Sequence, residues 1–211
     1  MFKGRISDKI SLTITKAIGL CVCIIGVSGA LGGDIMLLVV SLMLGALTGE
    51  FIDIDARLNT LGAFLQNKFV PIPDKESPST FAEGFVTATL LFCVGAMAVV
   101  GSIEAGLGNN YSIIITKSII DATAAMVFAS YLGMGVLFSA LTVFIYQGLI
   151  EFFAGFLQNI LTATLVSQIS AVGGLMILAL GFNMSLGAKI KVANLLPGLV
   201  FAVGYYFLII A

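Results

Sequence analysis

The chain has 211 residues, of which 59% are hydrophobic and 10% charged, and its net charge is −1. Its mean hydropathy is +1.13. A soluble domain carries about 25% charged residues, so this composition describes a polytopic membrane protein whose first partner is the lipid bilayer. Histidine is absent, which removes imidazole metal ligation and histidine-based proton relays. The net charge itself points to no partner, and no nucleic acid is expected.

An apolar helix needs about 20 residues to cross the hydrocarbon layer, and the first such run, 17–33, follows Lys3, Arg5, Lys9 and Lys16. With no A-x-A cleavage pattern after it, it reads as a retained membrane span. Gly32, Gly33 and Asp34 then mark a tight turn into a second span, 35–49. In 51–69, Ile54, Leu58, Leu61 and Leu65 fall on one helical face, backed by Asp53, Asp55, Arg57, Asn59 and Lys68. That pattern fits an amphipathic helix on the membrane surface, or an extension of the second span into water. Pro71, Pro73 and Pro78 make the next stretch a loop.

The run 85–103 is uncharged and reads as one uninterrupted third span, followed by the turn-rich "EAGLGNNYS". The stretch 118–150 is too long for one crossing. Gly133 and Gly135 permit a reversal that divides it into spans 118–131 and 136–150. Beyond Glu151, the polar cluster Gln158, Asn159, Thr162, Thr164 and Ser167 separates an interfacial segment, 152–165, from a sixth span, 166–186. A seventh, 192–211, carries Asn194 and Pro197 near its start. The fold expected is an all-α membrane bundle of about seven short, glycine-rich helices. It is a single domain over 1–211, with parts at 1–50, 51–80, 81–135 and 136–211.

With the N-terminus inside, every Lys and Arg except Lys117 falls in a cytoplasmic segment, as the positive-inside rule asks. The C-terminus is then outside. Shifting the sequence by 155 positions lays "TKAIGLCVCIIGVSGALGGDI" over "SAVGGLMILALGFNMSLGAKI", so that Gly19 meets Gly174, Gly26 meets Gly181 and Gly32 meets Gly187. Copies separated by an odd number of spans are inverted, an architecture common among secondary transporters. The alternative is recurrent glycine packing between helices.

The stretches "GLCVCIIG", "EGFVTATLLFCVGAMAVVGSIEAGL" and "KSIIDATAAMVFASYLGMGVLFSALTVFIYQG" resemble the uncharacterised bacterial inner-membrane family typified by YdfK and YqgA (domain-of-unknown-function family 554). The resemblance covers nearly the whole chain. It implies a polytopic protein of the bacterial plasma membrane, with transport suspected and no catalytic residues to carry over. Family members begin with another apolar helix before "GRISDKI", whose counterpart under the repeat is 136–150. The chain is therefore expected to be a natural truncation or the product of a late start site.

Candidate chemistry is sparse. Cys21, Cys23 and Cys93 lie in apolar runs and read as packing residues. No nucleophile–base set, phosphate loop or metal-ligand spacing appears, so no enzyme activity, cofactor or metal is expected. Asp121 is the residue of interest. With Ser118 it has the S-x-x-D spacing of a helix cap, while an intramembrane carboxylate is by default functional. The functional reading makes it an ion or proton site with Thr87 and Thr123 as oxygen partners, and lets Lys117 snorkel outward. Asn183 and Asn194 are further candidates for an ion or solute, although Asn194 with Pro197 also suits a helix start. Gly26, Gly181, Gly133 and Gly135 are candidate packing or hinge positions. The expected function is a small secondary transporter or ion-conducting protein, acting as a homo-oligomer on a small ion or solute. The alternative is a non-transporting scaffold or accessory subunit.

Overall fold

A computed structural model describes residues 8–69, 78–108 and 110–210, all helices and short connections. In chain order the helices are α1 (Asp8–Ala30), α2 (Ile35–Ile52), α3 (Ile54–Phe69), α4 (Pro78–Cys93), α5 (Ala96–Gly106), α6 (Ser112–Leu132), α7 (Gly135–Phe152), the short α8 (Ala154–Leu157), α9 (Ala163–Leu186) and α10 (Pro197–Tyr205). A 3-10 turn, Val192–Leu195, leads into α10, and a π-helical turn, Tyr206–Ile210, follows it. Among the described residues, six segments are long and apolar enough to cross a membrane, and a seventh is formed if the bent pair α4–α5 counts as one span. The expected helical bundle is present.

The centre of the bundle is α9, 67% of whose span is buried, against 11% for α6. It packs against α1 along their length, while α10 packs on α2, and α4 on α7. Helices in lipid gain little from the hydrophobic effect, so close approach through small residues is what holds such pairs. A Cβ built on Gly26 would lie 2.7 Å from the carbonyl oxygen of Gly174 and against the Leu178 amide, and one on Gly181 would lie 2.7 Å from the Cys23 amide. Both candidate packing glycines therefore sit in the α1–α9 contact.

The turn between α1 and α2 is tied to α9. Gln168 Oε1 accepts the Asp34 amide at 2.8 Å, and Ser167 Oγ donates to the Gly32 carbonyl at 2.9 Å. Asp34 then caps α2, its carboxylate accepting the Leu37 amide at 3.0 Å.

Between α2 and α3, Asp53 adopts φ 51°, ψ 60°, a left-handed conformation that ends α2. Thus α3 is a separate helix and not an extension of α2. It packs on α4 and the 3-10 turn. Of its expected apolar stripe, Ile54 and Leu58 are half-buried, and the side chains of Leu61 and Leu65 lie outside the described residues. So does most of the proline-rich loop, 70–77.

The structure corrects the sequence at two spans. The run 85–103 is not one straight helix: α4 and α5 are separate, and their axes differ by 61°. Gly95 is fully extended at the break, and Val94 seats its side chain on Gly173 of α9, where an added Cβ would collide with it. Hydropathy cannot register such a break, because Val94 and Gly95 are as apolar as their neighbours.

The second correction concerns the span expected to start at Ser118. It begins at Ser112, whose amide is held by Asn110 Oδ1 at 2.9 Å. At the other end of α6, Gly133 takes φ 75° and makes the reversal into α7. Gly135 has a different task. Its bare Cα lies against the backbone of Phe81 and Phe85, which lets α7 approach α4.

Candidate functional site

A cavity of about 420 Å³ opens between α3, α4, α9 and the 187–193 connector. Asp55 and Asn59 reach it from α3, Glu83 and Thr87 from α4, Asn183 from α9, and Lys189 and Lys191 from the connector. Glu83 and Thr87 are four residues apart and so share one face of α4. Thr87 is 1% exposed, and its hydroxyl has no hydrogen-bond partner among the described residues. Threonines in helices usually bond back to a carbonyl of the preceding turn, as Thr48 does to Leu44 at 2.8 Å. An unmet buried hydroxyl costs about 1–3 kcal/mol. Thr87 therefore departs from the usual arrangement on a wall that also carries a carboxylate.

The two candidate asparagines act on the backbone. Asn183 Nδ2 donates to the Ile190 carbonyl and Asn183 Oδ1 accepts the Ile190 amide, both at 2.8 Å. This clamp closes a connector in which Gly187 and Lys189 have φ of 69° and 58°. Asn194, 2% exposed, donates from Nδ2 to Glu50 Oε2 at 2.6 Å and accepts the Asp55 amide at 2.8 Å. It is not the cap of α10, which starts with Pro197 after Leu196 and has no side-chain cap. Gly49 makes room for this contact, since a Cβ there would strike the Asn194 carbonyl.

Lys191 completes the latch at 2.8 Å from Glu50 and 3.9 Å from Asp53. The hydrogen bond to Glu50, and then the charges of Glu50, Asp53 and Asp55, hold its ammonium above the ordinary lysine value. A raised lysine contributes fully below its unfolded pKa and is lost only as pH climbs through the raised value. The latch is thus intact at neutral pH.

Asp121 lies elsewhere. It is the middle residue of the apolar span Ser112–Ser130, about 14 Å along the helix from Ser112 at 1.5 Å per residue. Its carboxylate pairs with Lys117 one turn earlier, and the side chains are 23% and 8% exposed respectively. Lys117 does not snorkel outward. The capping arrangement is absent too, because Ser118 is inside the helix and its hydroxyl donates to the Ile114 carbonyl at 2.8 Å. Nor does Thr123 serve as an oxygen partner: it is exposed and donates to the Ile120 carbonyl at 2.8 Å. The helix that carries the pair, α6, packs against both α4 and α5.

The structure therefore divides the candidates. Thr87 and Asn183 meet at the cavity, Asn194 stands behind its wall, and Asp121 and Thr123 belong to α6. Glu83 and Lys117 are the residues that the sequence reading does not select. The four-residue spacings Glu83–Thr87 and Lys117–Asp121 are the signals that carry them.

A family model described as a protein of unknown function (DUF554) matches residues 1–207. The chain is 34% identical over 205 residues to an uncharacterized membrane protein, YdfK, of Bacillus subtilis (strain 168), covering 94% of this chain and 84% of that protein. It is 30% identical over 203 residues to an uncharacterized protein, YqgA, of Escherichia coli (strain K12), covering 96% and 86%. No solved structure matches.

Proposed function

The chain belongs to the DUF554 family of membrane proteins, and from that premise we propose that it is a small secondary transporter or ion-conducting protein. The observation that carries this reading is the Lys117–Asp121 pair, buried at the middle of α6, a helix that packs against both halves of the broken α4–α5 pair. Charged side chains at that depth are costly and mark ion or solute pathways. Discontinuous helices are the usual walls of midplane binding sites. The cavity gives the pathway an entrance along the same α4 that ends at the break.

The test is flux in liposomes loaded with ion- and pH-sensitive dyes. The parent protein dissipates an imposed cation or proton gradient faster than empty vesicles. The double variant Lys117→Gln/Asp121→Asn, which removes both charges together, reduces that flux at least about tenfold. A parent no faster than empty vesicles, or a double variant as active as the parent, favours the scaffold reading instead.

The same proposal places the protein in the bacterial plasma membrane with its N-terminus cytoplasmic, and makes α1–α2 and α9–α10 an inverted repeat. Two features support the repeat. Shifted by 155 positions, the end of α1 at Ala30 falls at 185, next to the end of α9 at Leu186. The glycine contacts also exchange as a two-fold axis requires: Gly26 meets Gly174, and Gly19 meets Gly181. Reporter fusions after Ala211 are expected to be active only outside the cell, and those within 70–80 only in the cytoplasm. A cytoplasmic C-terminus overturns both the seven-span topology and the inversion.

A further inference from the structure

We infer that Glu83 and Thr87 form a binding station for a monovalent cationic group, an alkali-metal ion or the ammonium of a small solute. The inference rests on the transport reading for its purpose, but not for the binding itself.

It follows from which lining groups are free. The Asn183 amide is used at both ends by Ile190. Asn59 Nδ2 donates to the carbonyl and the carboxylate of Asp55 at 2.9 and 3.1 Å. Lys191 is held by Glu50 and Asp53. Glu83 has no hydrogen bond or ion pair to any described residue, and the Thr87 hydroxyl is both unpartnered and buried. The Glu83 carboxylate and the buried Thr87 hydroxyl, a helical turn apart on the same wall, are thus left without partners among the described residues, as is the exposed Lys189 ammonium on the connector.

The charge around that space selects the ligand. Asp55 and Glu83 line the space with Lys189 and Lys191, and Glu50 and Asp53 behind them offset the Lys191 charge, so an anion is disfavoured. A divalent cation asks for six or more oxygens, usually with several carboxylates among them, and only Glu83 is unengaged. A monovalent cation or an ammonium needs fewer. A carboxylate with a hydroxyl that can accept through two lone pairs suits either, and a cavity of about 420 Å³ admits the hydrated ion or a small organic cation.

The experiment uses detergent-purified full-length protein. Its unfolding midpoint is followed against sodium, potassium and methylammonium chlorides, with N-methylglucamine chloride at equal ionic strength as the reference. A saturable rise with at least one of the three is expected. A response to sodium or potassium alone identifies an alkali-metal site, and a response to methylammonium alone an ammonium site. Glu83→Gln abolishes the response. Thr87→Val, nearly isosteric, raises the half-saturating concentration about tenfold and carries the test if the Glu83 variant does not fold. No saturable response in the parent, or an unchanged one in Thr87→Val, overturns the station. Saturable binding without flux in liposomes defeats the transport reading and leaves the station. Flux that survives both substitutions does the reverse.

Discussion

Leucine at Gly26 or Gly181 is expected to prevent the bundle from assembling. In each case the first added carbon already meets backbone: the Gly174 carbonyl at 2.7 Å for Gly26, and the Cys23 amide at 2.7 Å for Gly181. A flexible side chain could turn away, but a helix backbone cannot move without parting α1 from α9 along their whole contact. Overpacking in a core costs about 1–3 kcal/mol and sometimes more. Here the element displaced is the central helix, which carries the fully buried Leu165, Ala171, Val172 and Met176.

Gly148 on α7 is the control, since an added Cβ there meets nothing. Gly148→Leu should elute and melt as the parent does. Gly26→Leu and Gly181→Leu should show aggregation on size exclusion or a fall of many degrees in the unfolding midpoint. Parent-like behaviour of both would mean that the α1–α9 contact does not hold the fold together.

The glycine faces of that contact are legible in the sequence from spacing alone, while the pairing of α1 with α9 is not. Glycines recurring every seven residues lie on one helix face, and their order repeats at the 155-residue offset. Spans bounded by charges or glycine turns, such as α2 and α7, were legible for a similar reason. The break between α4 and α5 was not, because it is made by tertiary packing: Val94 seats on Gly173 nearly 80 positions away, and nothing local is polar. The start of α6 is not legible, because Lys117 looks like a boundary residue until its partner is known. Once α6 begins at Ser112, Lys117 is inside the helix and Asp121 is one turn deeper. Glu83 does not stand out in the sequence for a related reason. It follows a proline- and serine-rich stretch, where a carboxylate at a helix start is ordinary. Only the cavity, and the absence of a partner for its carboxylate among the described residues, separates it from that background.

Breaking the Lys117–Asp121 pair one charge at a time is expected to cost far more than removing it whole. Asp121→Asn leaves an ammonium, and Lys117→Gln a carboxylate, at the middle of an apolar span with little access to water. Removing one partner of a buried ion pair typically costs about 3–5 kcal/mol, because the survivor is left uncompensated. The double variant Lys117→Gln/Asp121→Asn carries no charge. Its two amides can hydrogen-bond across the same four-residue spacing, so its stability should return close to that of the parent. Unfolding in mild detergent, followed for the four proteins of the cycle, reads the coupling directly. If each single variant melts like the parent, water already reaches the pair, the charges are not desolvated, and depth in the bundle no longer argues for a function. If the singles fall and the double recovers, the charges are dispensable for folding. An expensive pair that the fold does not need is then what the proposed transport role asks for, and the flux of the double variant decides that point.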